Sequence, residues 1–135
     1  VPRAVLDPGV LVSALITPSG IPAKLLRAAR EGSFDLLVSG LLLEELELVL
    51  RRDKFRRYLD LDGVSAGISL LLDEGEMVPD PTDPPPVRCA DPDDDYLIAL
   101  AYRQGAALVS GDRQLLELAG SIPVFSPSEF LATQV

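Results

Sequence analysis

The sequence predicts an α/β fold: a small central parallel sheet held between helices as a three-layer α/β/α sandwich. Three observations carry this. Short apolar runs alternate with longer stretches of helical character along the chain. The runs are close to uniformly apolar, as expected of parallel strands covered by helices on both faces. The chain has 135 residues, a length suited to one domain, residues 1–135, that buries roughly two-thirds of its unfolded surface.

The elements follow in order. Ala4-Val5-Leu6 is a strand, and Asp7-Pro8-Gly9 is the turn that ends it. Val10 to Ile16 is apolar and opens a helix, which Thr17-Pro18-Ser19-Gly20 breaks. Pro22 then starts a helix to about Arg30, closed by Gly32. Phe34 to Val38 is a second buried strand, and Ser39-Gly40 turns into a helix over Leu41 to about Arg52. A short basic helix with Phe55 and Tyr58 as apolar anchors precedes a helix from Leu61 to Glu74, with Leu70, Leu71 and Leu72 toward the core. Glu76-Met77-Val78 is a weak strand. Five prolines make 79–86 a loop. A helix then runs from Asp93 to about Gln104, followed by a strand at Ala107–Val109 and a turn at Ser110-Gly111-Asp112. A short helix over Arg113–Leu118, a strand at Pro123–Phe125 and a helix opened by Pro127 complete the chain.

Composition excludes several classes. Hydrophobic residues are 47% and charged residues 24%, an ordinary globular mix that rules out wholesale disorder. With a single cysteine, Cys89, no internal disulfide forms. Zero histidines remove Ser-His-Asp chemistry, histidine acid–base work and the usual catalytic zinc sites. Cys89 is therefore expected to be a reduced packing thiol, and any chemistry rests on carboxylates, Lys/Arg, hydroxyls or backbone groups. No apolar run reaches the length of a membrane span and none reads as a signal peptide, so no membrane association and a cytoplasmic location are expected.

The net charge of −9 is unevenly spread. Residues 1–57 hold 9 Lys+Arg and 7 Asp+Glu, a net of +2; residues 58–135 hold 3 and 14, a net of −11. An acidic chain is a poor nonspecific nucleic-acid binder unless its acids are gathered in one site and its bases elsewhere. Arg51, Arg52, Lys54, Arg56 and Arg57 form the dense basic stretch, read either as a solvated helix end or as a phosphate-positioning surface.

In an open parallel sheet, ligands bind beyond the carboxyl ends of the strands. Asp7 ends the first strand and Asp112 follows the Ala107–Val109 strand. Glu45 lies on the helix after the second strand, and Asp94 opens the helix before the Ala107 strand. The four are expected on one rim. Helical spacing places Leu41, Leu42, Leu48 and Val49 around Glu45, while Glu44, Glu47 and Arg51 share a solvated face. Glu45 is therefore either a stripe-edge residue reaching water or a carboxylate that is protonated, paired or bound to a cation. In Asp91-Pro92-Asp93-Asp94-Asp95, Asp91 caps and Pro92 starts a helix. Asp94 shares a stripe with Leu97, Ile98 and Ala101 and ranks first as a site residue; Asp95 ranks second. Oxygen-only ligands suit Mg2+ or Mn2+, which activate water and stabilise the leaving oxygen of a phosphodiester.

At these residues the chain resembles the PIN-domain family. The resemblance lies in Val5-Leu6-Asp7 with Val10–Leu15, Val38-Ser39 with Leu42–Leu46, the Asp91–Asp95 run, and Val109-Ser110-Gly111-Asp112. It extends to Pro127-Ser128-Glu129-Phe130 and is similar above all to the toxins of bacterial toxin–antitoxin pairs. The resemblance implies a PIN-like fold and a Mg2+- or Mn2+-dependent endoribonuclease with a catalytic and metal-binding quartet of Asp7, Glu45, Asp94 and Asp112, and with Asp95 as a secondary ligand. It also implies that Ser110 is the small hydroxyl residue before the last aspartate, that the substrate is RNA, that an antitoxin is a partner, and that a homodimer is possible. Arg51, Arg52, Lys54 and Arg113, with Ser110, are the candidate nucleic-acid contacts.

One departure stands out. The family usually carries Asp-Thr-Asn at its first motif, and this chain has Asp7-Pro8-Gly9. That keeps open a second reading, a degenerate PIN domain that binds RNA or a protein partner without cleaving. A phosphoacceptor receiver domain would need a lysine after a late strand, and the two lysines, Lys24 and Lys54, are both early.

Overall fold

A computed structural model describes residues 2–134; Val1 and Val135, the ends of the predicted domain, lie outside the described residues. Strands β1 (Arg3–Leu6), β2 (Asp35–Val38), β3 (Glu76–Met77), β4 (Ala107–Val109) and β5 (Val124–Phe125) form one sheet in the order β3-β2-β1-β4-β5. Every pairing is parallel. Val5 lies between Leu37 and Leu108, and Leu6 beside Val109. The apolar residues of β1 and β2, with Leu108 and Val109 of β4, are buried, which is why these strands read as uniformly apolar.

Seven α-helices accompany the strands: α1 (Pro8–Ile16), α2 (Ile21–Arg30), α3 (Gly40–Leu50), α4 (Leu61–Glu74), α5 (Asp95–Gln104), α6 (Arg113–Leu116) and α7 (Pro127–Ala132). Their starts follow local chemistry. Asp7, Ser39, Asp60, Asp112 and Ser126 each accept a backbone N–H at the N-cap. Gly105 ends α5 at φ 61°, left-handed backbone that a side chain would strain. The α1 helix packs on α2 and α3, α2 on α7, and α5 on β4 and β1. Phe34, just before β2, meets Phe130 of α7 edge-on at 5.1 Å and ties the last helix to the sheet.

The chain steps outward from β1 to β2 and β3, then returns to place β4 on the other side of β1. The strand order therefore reverses between β1 and β4. In doubly wound folds that reversal opens a crevice at the carboxyl ends of the two strands.

The α/β/α prediction and the element order hold, and the differences are local. The helix predicted from Asp93 starts at Asp95, after a single 3-10 turn over Pro92–Asp94. The Asp95 side chain is drawn back to the preceding loop, taking the Cys89 amide at 2.8 Å and Arg88 at 3.2 Å. Of Leu70, Leu71 and Leu72, only Leu71 is fully buried and Leu72 is exposed; consecutive helical residues turn by about 100° and cannot share one face. Phe55 packs on the core, but Tyr58 is exposed under the Arg57 guanidinium. Cys89 is a buried free thiol, as expected.

Candidate active site

A cleft of about 490 Å³ opens at the β1/β4 reversal. Its lining includes Asp7, Glu45, Asp94 and Asp112, together with Pro8, Ser13 and Val49. Four stretches of sequence supply the four carboxylates: the end of β1, the middle of α3, the turn before α5 and the start of α6.

Asp7 is the buried member, with 6% of its surface exposed. Its Oδ1 accepts from the Val10 amide at 2.8 Å, and its Oδ2 takes the Ser110 hydroxyl. Burial pushes its carboxyl above the usual range. The Ser110 and Val10 donors draw it back, and the Asp112 charge adds to the rise. Ser110 is itself fully buried and accepts from the Asp112 amide at 2.9 Å. Asp112 caps α6 through Oδ1, which takes the Gln114 amide at 2.9 Å.

Asp94 accepts no capping bond. Burial lifts its pKa to about 6, helped by the charges of Asp91, Asp112, Asp7 and Glu45. Glu45 is also raised, first by partial burial and then by Asp7 and Asp93, against the lowering influence of the Tyr96 hydroxyl and Arg52. Its surroundings are less apolar than helical spacing predicts. Leu42 is buried, but Leu41 and Leu48 are 46% and 65% exposed. The reason is that α3 covers the core through Leu42, Leu43, Leu46 and Leu50, so Glu45 sits at the margin of that face.

A PIN-domain family model matches residues 3–114. The chain belongs to the PIN-domain family. Uncharacterized protein MJ1680 of Methanocaldococcus jannaschii is 31% identical over 116 residues, covering 86% of this chain and 74% of that protein. Among solved structures, PAE2754 from Pyrobaculum aerophilum superposes with a TM-score of 0.65 at 20% identity, over 98% of this chain and 89% of that one. VapBC2 from Rickettsia felis, bound to a DNA fragment from its promoter, gives 0.64 at 13% identity, over 92% and 98%. At such identities the structural likenesses establish the shared fold.

PIN domains are generally metal-dependent nucleases, so the cleft must be tested against a divalent ion. The donor chemistry of this PIN domain fits. The cleft acids are all oxygen donors, and their mutual repulsion with partial burial is what a hard dication relieves. Among the described residues no three acidic or thiol side chains are grouped closely enough to hold a metal ion by themselves. A dication in this cleft would have to complete its shell with water or substrate oxygens.

The remaining predicted residues fall outside the cleft lining. Asp95 is engaged by Cys89 and Arg88. Arg51 pairs with Glu47 at 3.2 Å, Lys54 lies over the Phe55 ring, and Arg113 stands 3.9 Å from Glu117. Arg52 is exposed, and its charge reaches Glu45. Sequence reasoning missed Ser13, which lines the cleft, and Tyr96, which stands outside the lining but acts on Glu45. Tyr96 carried a signal, being the one aromatic residue placed directly after the aspartate run; Ser13, on α1, carried none. No single helix among the described residues is long and apolar enough to cross a membrane.

Proposed function

We propose that residues 1–135 act as one PIN domain with the activity of a Mg2+- or Mn2+-dependent endoribonuclease, working in the cytoplasm as the toxin of a toxin–antitoxin pair. The observation that carries this is the convergence of Asp7, Glu45, Asp94 and Asp112 on one cleft at the sheet's reversal point. Asp7, Asp94 and Asp112 would hold the ion, directly or through water, with Glu45 completing the site. When bound, the ion supplies an activated water and charge neutralisation at the scissile phosphate.

The chain's own groups set up that chemistry. Ser110 and the Val10 amide hold the Asp7 carboxylate in one orientation. Asp94, free of capping bonds, keeps its oxygens for the cleft. Arg52, whose charge reaches Glu45, would receive a phosphate entering over α3, with Arg51, Lys54 and Arg113 as outer cations. A fold neighbour is VapBC2 of Rickettsia felis, and that likeness motivates the antitoxin partner; the homodimer is proposed on the family resemblance alone.

Pro8-Gly9 favours the second reading, a PIN domain that binds RNA or a protein without cutting. Pro8 lacks both the N–H and the hydroxyl that the usual motif offers, and Gly9 lacks an amide side chain. Backbone geometry offsets part of this loss, since Asp7 is still held by the Val10 amide at 2.8 Å. Incubation of single-stranded RNA with Mn2+ separates the two. Wild type is expected to cut and Asp7→Asn to leave the RNA intact. Binding without metal-dependent cutting by wild type would establish the second reading.

A further inference from the structure

Tyr96 stands in the first turn of α5, its ring packed against the core. Its hydroxyl oxygen is buried and makes no hydrogen bond to any described residue. Burying a hydroxyl without a partner is costly, and native structures seldom carry such a group without a use for it.

Its surroundings narrow that use. The hydroxyl lies beside the Glu45 carboxylate without the geometry of a formed bond, and the charges of Asp94 and Asp7 also reach it. A phenol is protonated at neutral pH and serves as a donor. Both Asp7 oxygens are already engaged by Val10 and Ser110. Asp94 acts on the hydroxyl by charge alone, so Glu45 is the open acceptor beside it.

Glu45 also has the greatest need of an anchor. Asp7 and Asp112 are short side chains fixed by capping α1 and α6. Asp94 is equally short. Glu45 projects from mid-helix on a longer chain with more rotamer freedom to lose on ordering. Its cationic neighbour Arg52 is exposed, where salt screens its pull.

We propose that Tyr96 is a positioning residue, whose buried hydroxyl donates to one oxygen of Glu45 and so leaves the other oxygen for the cation site in the cleft. A small side-chain adjustment completes the bond. The inference rests on the nuclease reading only in taking Glu45 as a member of that site.

The test is a double-mutant cycle on Mn2+ affinity, measured calorimetrically with the metal-free chain. Wild type, Tyr96→Phe, Glu45→Gln and the double variant are compared. Phe keeps the packed ring, and circular dichroism checks the fold. Tyr96→Phe is expected to weaken Mn2+ binding about tenfold. In the Glu45→Gln background the same change is expected to alter affinity less than about twofold, because the shared partner is gone. In cleavage assays Tyr96→Phe lowers kcat and leaves KM near its wild-type value. Equal losses in both backgrounds mark a packing role and overturn the proposal, as does unchanged affinity in Tyr96→Phe or no Mn2+ binding by wild type. A chain that shows the coupling but cuts no RNA overturns the nuclease reading and leaves the positioning role standing.

Discussion

Ser110 donates its hydroxyl to the Asp7 carboxylate across 103 residues of sequence, and the same oxygen accepts the Asp112 amide at 2.9 Å. One buried hydroxyl thus links a candidate ligand at the end of β1 to the backbone of another beyond β4. Ser110→Ala removes the donor from a buried carboxylate and the acceptor from a backbone amide. It is expected to cost about 1–3 kcal/mol of stability, measured by urea unfolding, and to weaken Mn2+ binding.

Asp94 gives a pH dependence with a definite sign. Its pKa rises from 3.8 to about 6 on folding, so between those values the folded state binds more protons than the unfolded one. That contribution to stability is full below the unfolded pKa and is lost as pH rises through the folded one. Without divalent ions, the melting temperature is expected to carry a downward component between pH 4 and 6 that Asp94→Asn removes. Scanning fluorimetry across pH 4–8 for both proteins checks this.

At pH 7.5 the same crowding is ionised, and Asp94→Asn is expected to melt higher than wild type in chelator. Adding Mn2+ is expected to stabilise wild type more than the variant, by linkage to binding of the folded state. Equal Mn2+ responses in the two proteins would remove Asp94 from the ligand set.

Asp95 and Asp94 are adjacent in sequence and differently occupied. Asp95 holds the Cys89 amide and Arg88. Asp95→Ala is expected to cost stability, about 1–2 kcal/mol for the lost charge-assisted bond, while cleavage per folded molecule stays within about threefold of wild type. Asp94→Ala is expected to abolish cleavage. A comparable loss of activity in both would establish Asp95 as a ligand.

Arg52 reaches Glu45 by charge alone. Arg52→Ala is expected to weaken RNA binding uniformly across sequences and to lower the slope of log affinity against log salt by about one. Titration of labelled single-stranded RNA at several salt concentrations, in the Asp7→Asn background to suppress cleavage, provides the measurement.

The sequence by itself determined the element order, because uniformly apolar runs, capping residues and glycine stops act over a few residues. It also placed Asp7 and Asp112 at strand ends, since each follows its strand directly and caps the next helix. Tertiary structure alone decided the rest. Asp94 and Asp95 sit one residue apart in the same acidic run, and only the return of the 88–89 loop onto Asp95 leaves Asp94 free. Glu45's place at the edge of the core, and the solitary Tyr96 hydroxyl near it, depend on how the first turn of α5 is set relative to α3. Local pattern fixes which way a residue leaves its own helix; which groups it then faces is set by packing between segments about fifty residues apart.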